Sequence, residues 1–343
     1  MITSSPVGAT RTSATPSSDC CASRSALCYL YAPGRFGDVP VAFGEKVGFV
    51  GLGGMGRGLV KNLLKHGIAV TVHDLDEAAI ERAVSLGAER ATSRGELASS
   101  SDVLAICVTT ADVVQSLTLG PGGMLAYMRP GAVLLDHTTT SPSHVDRMRE
   151  ACAECGVEYC EGPMTRTPMH ADRGEVNVLY GGGEALLERL RPMFACYAEN
   201  VFHVGPAGHA IRLKLVHNYI AFANVASWCE GFALAARDGL DLDKVIGIIS
   251  AAGGRSGMLD LYGQATLERD FTPHMSLANT LKDVRYYAEW LESAGLRSGL
   301  AEAVCGAYEA AAREGHAEEG CTAVIKPYER QLGVEAKLAA KKS

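Results

Sequence analysis

Residues 46–56 read Lys46-Val47-Gly48-Phe49-Val50-Gly51-Leu52-Gly53-Gly54-Met55-Gly56 and run on into a helical pattern that ends at His66-Gly67. A short apolar strand, a glycine turn and a helix stand here in the order a dinucleotide-binding βα unit requires. Gly51 permits the tight turn, Gly53 lets the backbone approach a pyrophosphate, and Gly56 allows the helix to pack closely on the strand. The backbone of Leu52, Gly54 and Met55 completes the cradle, and the helix N-terminus offers free N–H groups to phosphate.

The next strand, Ala69–His73, ends at Asp74, 18 residues beyond Gly56. A carboxylate there accepts from both ribose hydroxyls of NAD and repels the 2′-phosphate of NADP. Leu75 follows, with no Arg to welcome that phosphate, so NAD is expected over NADP. Further βα units come after it. Asp76–Leu86 reads as a helix, Val103–Val108 and Ala132–Leu135 as buried strands, Ser143–Cys155 as a helix and Val157–Cys160 as a strand. This alternation predicts a doubly wound parallel sheet of the Rossmann type. Val108, Thr109 and Thr139 fall at carboxyl ends of strands, where such sheets bind ligands.

Residues 161–174 read Glu-Gly-Pro-Met-Thr-Arg-Thr-Pro-Met-His-Ala-Asp-Arg-Gly. The stretch is so punctuated by Gly and Pro that a loop is expected. It would carry Thr165, Arg166 and Thr167 into the cleft, where a guanidinium suits fork-like recognition of an anion. From about Gly205 the strand patterns stop. Helices are expected at 209–237, 242–251, 277–294, 298–313 and 322–340. The first has apolar residues on nearly all faces, so most of it should be buried. Lys214 and Asn218 are four apart on it and share a face. A buried Lys is costly unless paired or used. The domains expected are a disordered extension over 1–44, a dinucleotide-binding domain over 45–204 and an all-helical domain over 205–343.

The composition fits 343 residues of globular chain, with 47% hydrophobic and 21% charged residues. A net charge of −7 argues against nucleic acid as a main partner. No apolar run is long enough to span a membrane. The 11 cysteines are odd in number and scattered. With no pattern of a secretory leader they are expected to be free, in a cytoplasmic protein. Cys152 and Cys155 form a CxxC without a second pair, so no metal site is expected.

Four stretches together resemble the β-hydroxyacid dehydrogenases, which include 3-hydroxyisobutyrate dehydrogenase. They are Gly51–Gly56, Asp136–Pro142, Pro163–Gly174 and Gly205-x-x-Gly208 leading to Lys214-x-x-x-Asn218. Lys282-Asp283 is a weaker fifth. The resemblance implies an NAD-dependent dehydrogenase with a C-terminal domain like that of 6-phosphogluconate dehydrogenase. It implies Lys214 as general acid/base, Asn218 holding substrate, Thr139 beside the nicotinamide and Lys282 closing over the cofactor. A small anionic substrate and a homodimer or homotetramer follow from the same likeness.

Two departures stand out. The family loop Asp-Ala-Pro-Val-Ser-Gly-Gly is here Glu161-Gly162-Pro163-Met164-Thr165-Arg166-Thr167, which is similar to the loop of sulfolactaldehyde reductase. That likeness implies an anion pocket holding Arg166 and a substrate with a larger or second anionic group. His217 stands where the family has Asn. The competing readings are an imine reductase, which shares the fold and generally lacks the Lys, and a non-catalytic NAD-binding interaction module, in whose known example the Lys is lost.

Overall fold

The computed structural model describes residues 43–339. The expected extension over 1–44 lies almost wholly outside them, as do the last residues of the chain.

The first half is a nine-stranded sheet with helices. Its strands are β1 (Val47–Val50), β2 (Val70–His73), β3 (Glu89–Arg90), β4 (Val103–Ile106), β5 (Val133–Asp136), β6 (Glu158–Glu161), β7 (Met164–Thr165), β8 (Val176–Gly181) and β9 (Ala198–Gly205). The intervening helices are α1 (Gly56–Lys65), α2 (Glu77–Ser85), α3 (Arg94–Ser100), α4 (Ala111–Thr118), α5 (Pro142–Glu154), α6 (Pro168–Arg173) and α7 (Glu184–Ala195). The spatial order is β3-β2-β1-β4-β5-β6-β8-β7, with β9 on β8. Strands β1 to β6 run parallel, as the alternation predicted. The chain winds outward from β1 to β3 and returns to β4, so the switch point lies between β1 and β4, where ligand sites form in such sheets. Short buried runs such as Val47–Val50 and Val103–Ile106, apolar at every position, fit strands covered on both faces.

Sequence reasoning departs from the structure in the edge. β8 runs antiparallel to β6 and β7, and the segment expected to be an irregular loop holds β7 and helix α6. Pro168 at the first helical position and Gly174 in the left-handed conformation at φ 76° start and stop α6. Gly58 accommodates this helix: a Cβ there would stand 2.5 Å from the Ala171 carbonyl carbon. Asn62 on α1 ties the two helices by donating to the Ala171 carbonyl at 2.9 Å.

The second half is helical: α8 (His209–Arg237), α9 (Leu242–Ala251), α10 (Gly257–Leu267), α11 (Leu277–Ser293), α12 (Gly299–Ala311) and α13 (Ile325–Leu332). α10 was not expected. The last helix is far shorter than 322–340, because Gly333 turns left-handed at φ 66° and ends it. α8 has 29 residues, about 44 Å at 1.5 Å per residue. Phe222, Val225, Cys229 and Phe232 of α8 form a core with residues of the other helices. Tyr219 stacks on Tyr287 of α11 at 4.1 Å, and the Tyr308 hydroxyl donates to the Phe222 carbonyl at 3.0 Å. No helix among the described residues is long and apolar enough to cross a membrane.

Candidate active site

The glycine turn is built as its spacing demands. Gly51 has φ 96°, and a Cβ there would meet the Cys107 carbonyl oxygen at 2.2 Å. A Cβ on Gly56 would stand 1.9 Å from the Gly51 oxygen. Gly53 has nothing within 4 Å of that position, so its missing side chain leaves open space. α1 has no side-chain cap at Met55, and the N–H groups of Arg57 and Gly58 donate to the Gly53 and Met55 carbonyls at 3.1 and 3.0 Å. Asp74 accepts from the Leu52 N–H at 2.5 Å and from the Asp76 N–H at 2.8 Å. Its carboxylate therefore stands fixed at the rim of the turn, while Leu75 beside it is 95% exposed. A cradle that Cβ atoms would fill, an uncapped helix start and a carboxylate at its rim together fit a dinucleotide.

At the carboxyl ends of β4 and β5, Lys282 of α11 donates to the Thr109 carbonyl at 2.7 Å and to the Thr139 carbonyl at 2.9 Å. It thereby clamps both strand ends to the helical half. The Val108 N–H donates to the Thr138 hydroxyl at 3.2 Å. Asp283 is 1% exposed. It stands 3.2 Å from Lys282 Nζ through Oδ1 and accepts from Asn218 Nδ2 at 2.6 Å through Oδ2. The Asn218 Oδ1 faces His217 Nδ1 at 2.9 Å.

Lys214 is 8% exposed and, among the described residues, donates to no protein group. Burial pulls its pKa down to about 8, Asp283 pulls it up, and Lys282 pulls it down. A buried amine without a protein partner, titrating close to neutrality, is suited to exchange a proton with a ligand. Asn218, Asp283, Lys282, Thr109 and Thr139 thus form one connected set, and Lys214 feels the charges of Asp283 and Lys282 within it.

The residues of the 165–167 loop make their contacts elsewhere. Thr165 accepts from Asn177 at 3.2 Å, and Thr167 bonds His170 at 2.8 Å. Arg166, the guanidinium expected in an anion pocket, here meets acceptors of its own chain. It pairs with Glu199 and donates to the Glu175 carbonyl at 2.6 Å. Its backbone is left-handed at φ 79°, which costs a residue with a Cβ about 1–2 kcal/mol.

Two functional-looking residues escaped the sequence reading. Glu161 is buried at the end of β6 and accepts from the start of α8. His137 bridges the Gly162 carbonyl at 2.6 Å and the Tyr197 hydroxyl at 3.1 Å, and burial holds it neutral with a pKa of about 4. Among the described residues no cluster could hold a metal ion.

Both halves of the chain are similar to known proteins. The NAD-binding domain of 6-phosphogluconate dehydrogenase, as a family profile, matches residues 46–205. The NAD-binding profile of NADP-dependent 3-hydroxyisobutyrate dehydrogenase matches residues 207–328. The chain is 29% identical over 290 residues to 2-(hydroxymethyl)glutarate dehydrogenase of Eubacterium barkeri, covering 84% of this chain and 96% of the relative. It is 30% identical over 248 residues to a probable mitochondrial 3-hydroxyisobutyrate dehydrogenase-like protein of Arabidopsis thaliana, covering 72% of this chain and 74% of the relative. The crystal structure of a 3-hydroxyisobutyrate dehydrogenase from Salmonella typhimurium superposes with a TM-score of 0.74 at 28% identity, over 82% of this chain and 99% of that one.

Proposed function

The chain belongs to the β-hydroxyacid dehydrogenase family and is an NAD-dependent oxidoreductase of CH–OH groups, and from that premise we propose that it interconverts a short β-hydroxy acid and its semialdehyde with Lys214 as general acid/base. The observation that carries this reading is the buried Lys214 amine, without a hydrogen-bond partner among the described residues, under the charges of Asp283 and of the Lys282 that holds the Thr109 and Thr139 carbonyls.

When bound, NADH supplies the hydride. In reduction the carbonyl carbon takes that hydride, and the carbonyl oxygen takes a proton from Lys214 Nζ and becomes the hydroxyl. The ammonium also stabilises the alkoxide charge as it develops. Asn218, held by Asp283, orients substrate beside it. In oxidation the same amine, neutral, removes the hydroxyl proton. An imine reductase or a non-catalytic NAD-binding module has less support, because neither reading uses this Lys.

The pH dependence follows from the charge on Lys214. Reduction needs the ammonium, so kcat should fall as pH rises through about 8. Oxidation needs the free amine, so kcat should fall as pH drops below that value. Steady-state profiles in both directions test the assignment. Limbs that do not mirror one another would remove Lys214 from the proton transfer.

Asp74 favours NAD, since its carboxylate sits where a 2′-phosphate would be repelled. For the substrate, a small anion is proposed, and Arg166 is its candidate partner by exchange from Glu199. Arg166→Ala should then raise KM about tenfold or more with kcat nearly constant. An unchanged KM would confine Arg166 to its ion pair and leave a second anionic group, such as a sulfonate, without support.

A further inference from the structure

α8 starts without a cap of its own. Gly208 is left-handed at φ 98° and has no side chain to offer. The N–H groups of Gly208, Ala210 and Ile211 instead converge on one atom, Oε1 of Glu161, at 2.8, 2.7 and 3.3 Å. Glu161 is the last residue of β6 and only 2% exposed. A carboxylate from a strand 47 residues away thus satisfies the orphan donors of the helix that carries Lys214.

Behind Glu161 stands a second buried acid. Asp136 is its register partner in the parallel ladder, so both side chains leave the same face, and Tyr159, two residues before Glu161, shares it. Asp136 Oδ2, Glu161 Oε2 and the Tyr159 hydroxyl are buried without a hydrogen-bond partner among the described residues. Burial pushes Glu161 up to about 7 against the pull of the three N–H groups, and Asp136 adds to the push. Burial likewise raises Asp136 to about 6, against the N–H of Thr138. A protonated Glu161 still presents Oε1 as an acceptor. Asp136 Oδ1 also accepts from the Thr138 N–H at 2.8 Å, which shapes the turn that carries Thr139.

We propose that Glu161, with Asp136 and Tyr159 behind it, is a positioning residue of the reaction: it ties the first turn of α8 to the carboxyl edge of the sheet and so sets where Lys214 stands relative to Thr109 and Thr139. This rests on Lys214 as the proton donor. The first turn of α8 is only one turn from Lys214, so a shift there displaces the amine directly. Such a displacement also moves Lys214 against the groups that face it, Lys282 and Asp283 of α11 and His217 of its own helix.

The test uses the full chain with NADH and its best aldehyde substrate, in the variants Glu161→Gln, Glu161→Ala and Glu161→Asp. Glu161→Ala and Glu161→Asp should lower kcat about 10- to 100-fold, the cost of a misplaced reacting group. The alkaline limb of kcat should move up toward an ordinary lysine, while NADH affinity stays within about twofold. Glu161→Gln keeps a carbonyl oxygen for the three N–H groups and should stay within about threefold of wild type. A structural role alone would lower the amplitude and leave the limb in place. Wild-type kcat in Glu161→Ala, loss without movement of the limb, or Glu161→Gln falling as far as Glu161→Ala would each overturn the proposal. If Glu161→Ala fails to fold, Glu161→Asp decides by the same criteria. Lys214→Ala separates the two readings. If it stays active, the Lys assignment fails. If it is inactive while Glu161→Ala and Glu161→Asp match wild type, only the positioning role fails.

Discussion

Lys214→Ala is expected to lower kcat for aldehyde reduction by about 10³-fold, roughly 4 kcal/mol of transition-state stabilisation. The physical reason is that hydride addition leaves an alkoxide, and Lys214 is the buried cation free to protonate it. Asp283 is committed to Asn218 and Lys282, and Lys282 to the Thr109 and Thr139 carbonyls. None of these can replace the amine without breaking its own contacts. The glycine turn lies on a different element, so NADH affinity should stay within about twofold. The variant removes a buried charge without stranding a partner, since Lys214 donates to no protein group, so folding should survive. Burst-free steady-state kinetics and a fluorescence titration of NADH read both quantities. Turnover comparable with wild type would show that the proton comes from elsewhere.

The second large effect is expected from Gly53→Val. No protein atom lies within 4 Å of a Cβ at this position, and its φ is outside the left-handed region, so the fold has no reason to resist the substitution. The space a side chain would enter is where the pyrophosphate must approach the backbone. Thermal unfolding should therefore be nearly unchanged, while NADH binding weakens about 100-fold or more. Gly56 makes the contrast: a Cβ there would strike the Gly51 oxygen at 1.9 Å, so its replacement damages the turn itself. The same titration on wild type with NADPH should show binding weaker than NADH by about tenfold or more, because Asp74 repels the added phosphate. Unchanged NADH affinity in Gly53→Val would place the dinucleotide away from this turn, and equal affinity for NADPH would deny Asp74 its selective role.

What could be read from the sequence was local. The turn at Gly51–Gly56 is legible because steric demands act between neighbours in the chain. Lys214 and Asn218 share a helical face because they are four apart, and the structure places both at the same buried site. The Pro168 and Gly174 signals of α6 were also local, yet the surrounding Gly and Pro residues masked them. Other features depend on residues far apart in sequence. The burial of Asp283 is not legible locally, because its partner Asn218 lies 65 residues away. Arg166 looked like a free cation because Glu199, 33 residues on, is brought beside it only when β9 pairs with β8. Glu161 read as the start of a loop, since nothing near it in sequence says that a helix start 47 residues later lacks a cap.

The most direct single measurement is the loss of NADH absorbance with the purified chain and a panel of short semialdehydes: succinic, tartronate and methylmalonate semialdehydes, with sulfolactaldehyde beside them. Oxidation of NADH by at least one of them, lost in Lys214→Ala, is the expected result. NADH that binds but is oxidised by none, or oxidised equally fast without Lys214, would contradict a hydride transfer completed by this lysine.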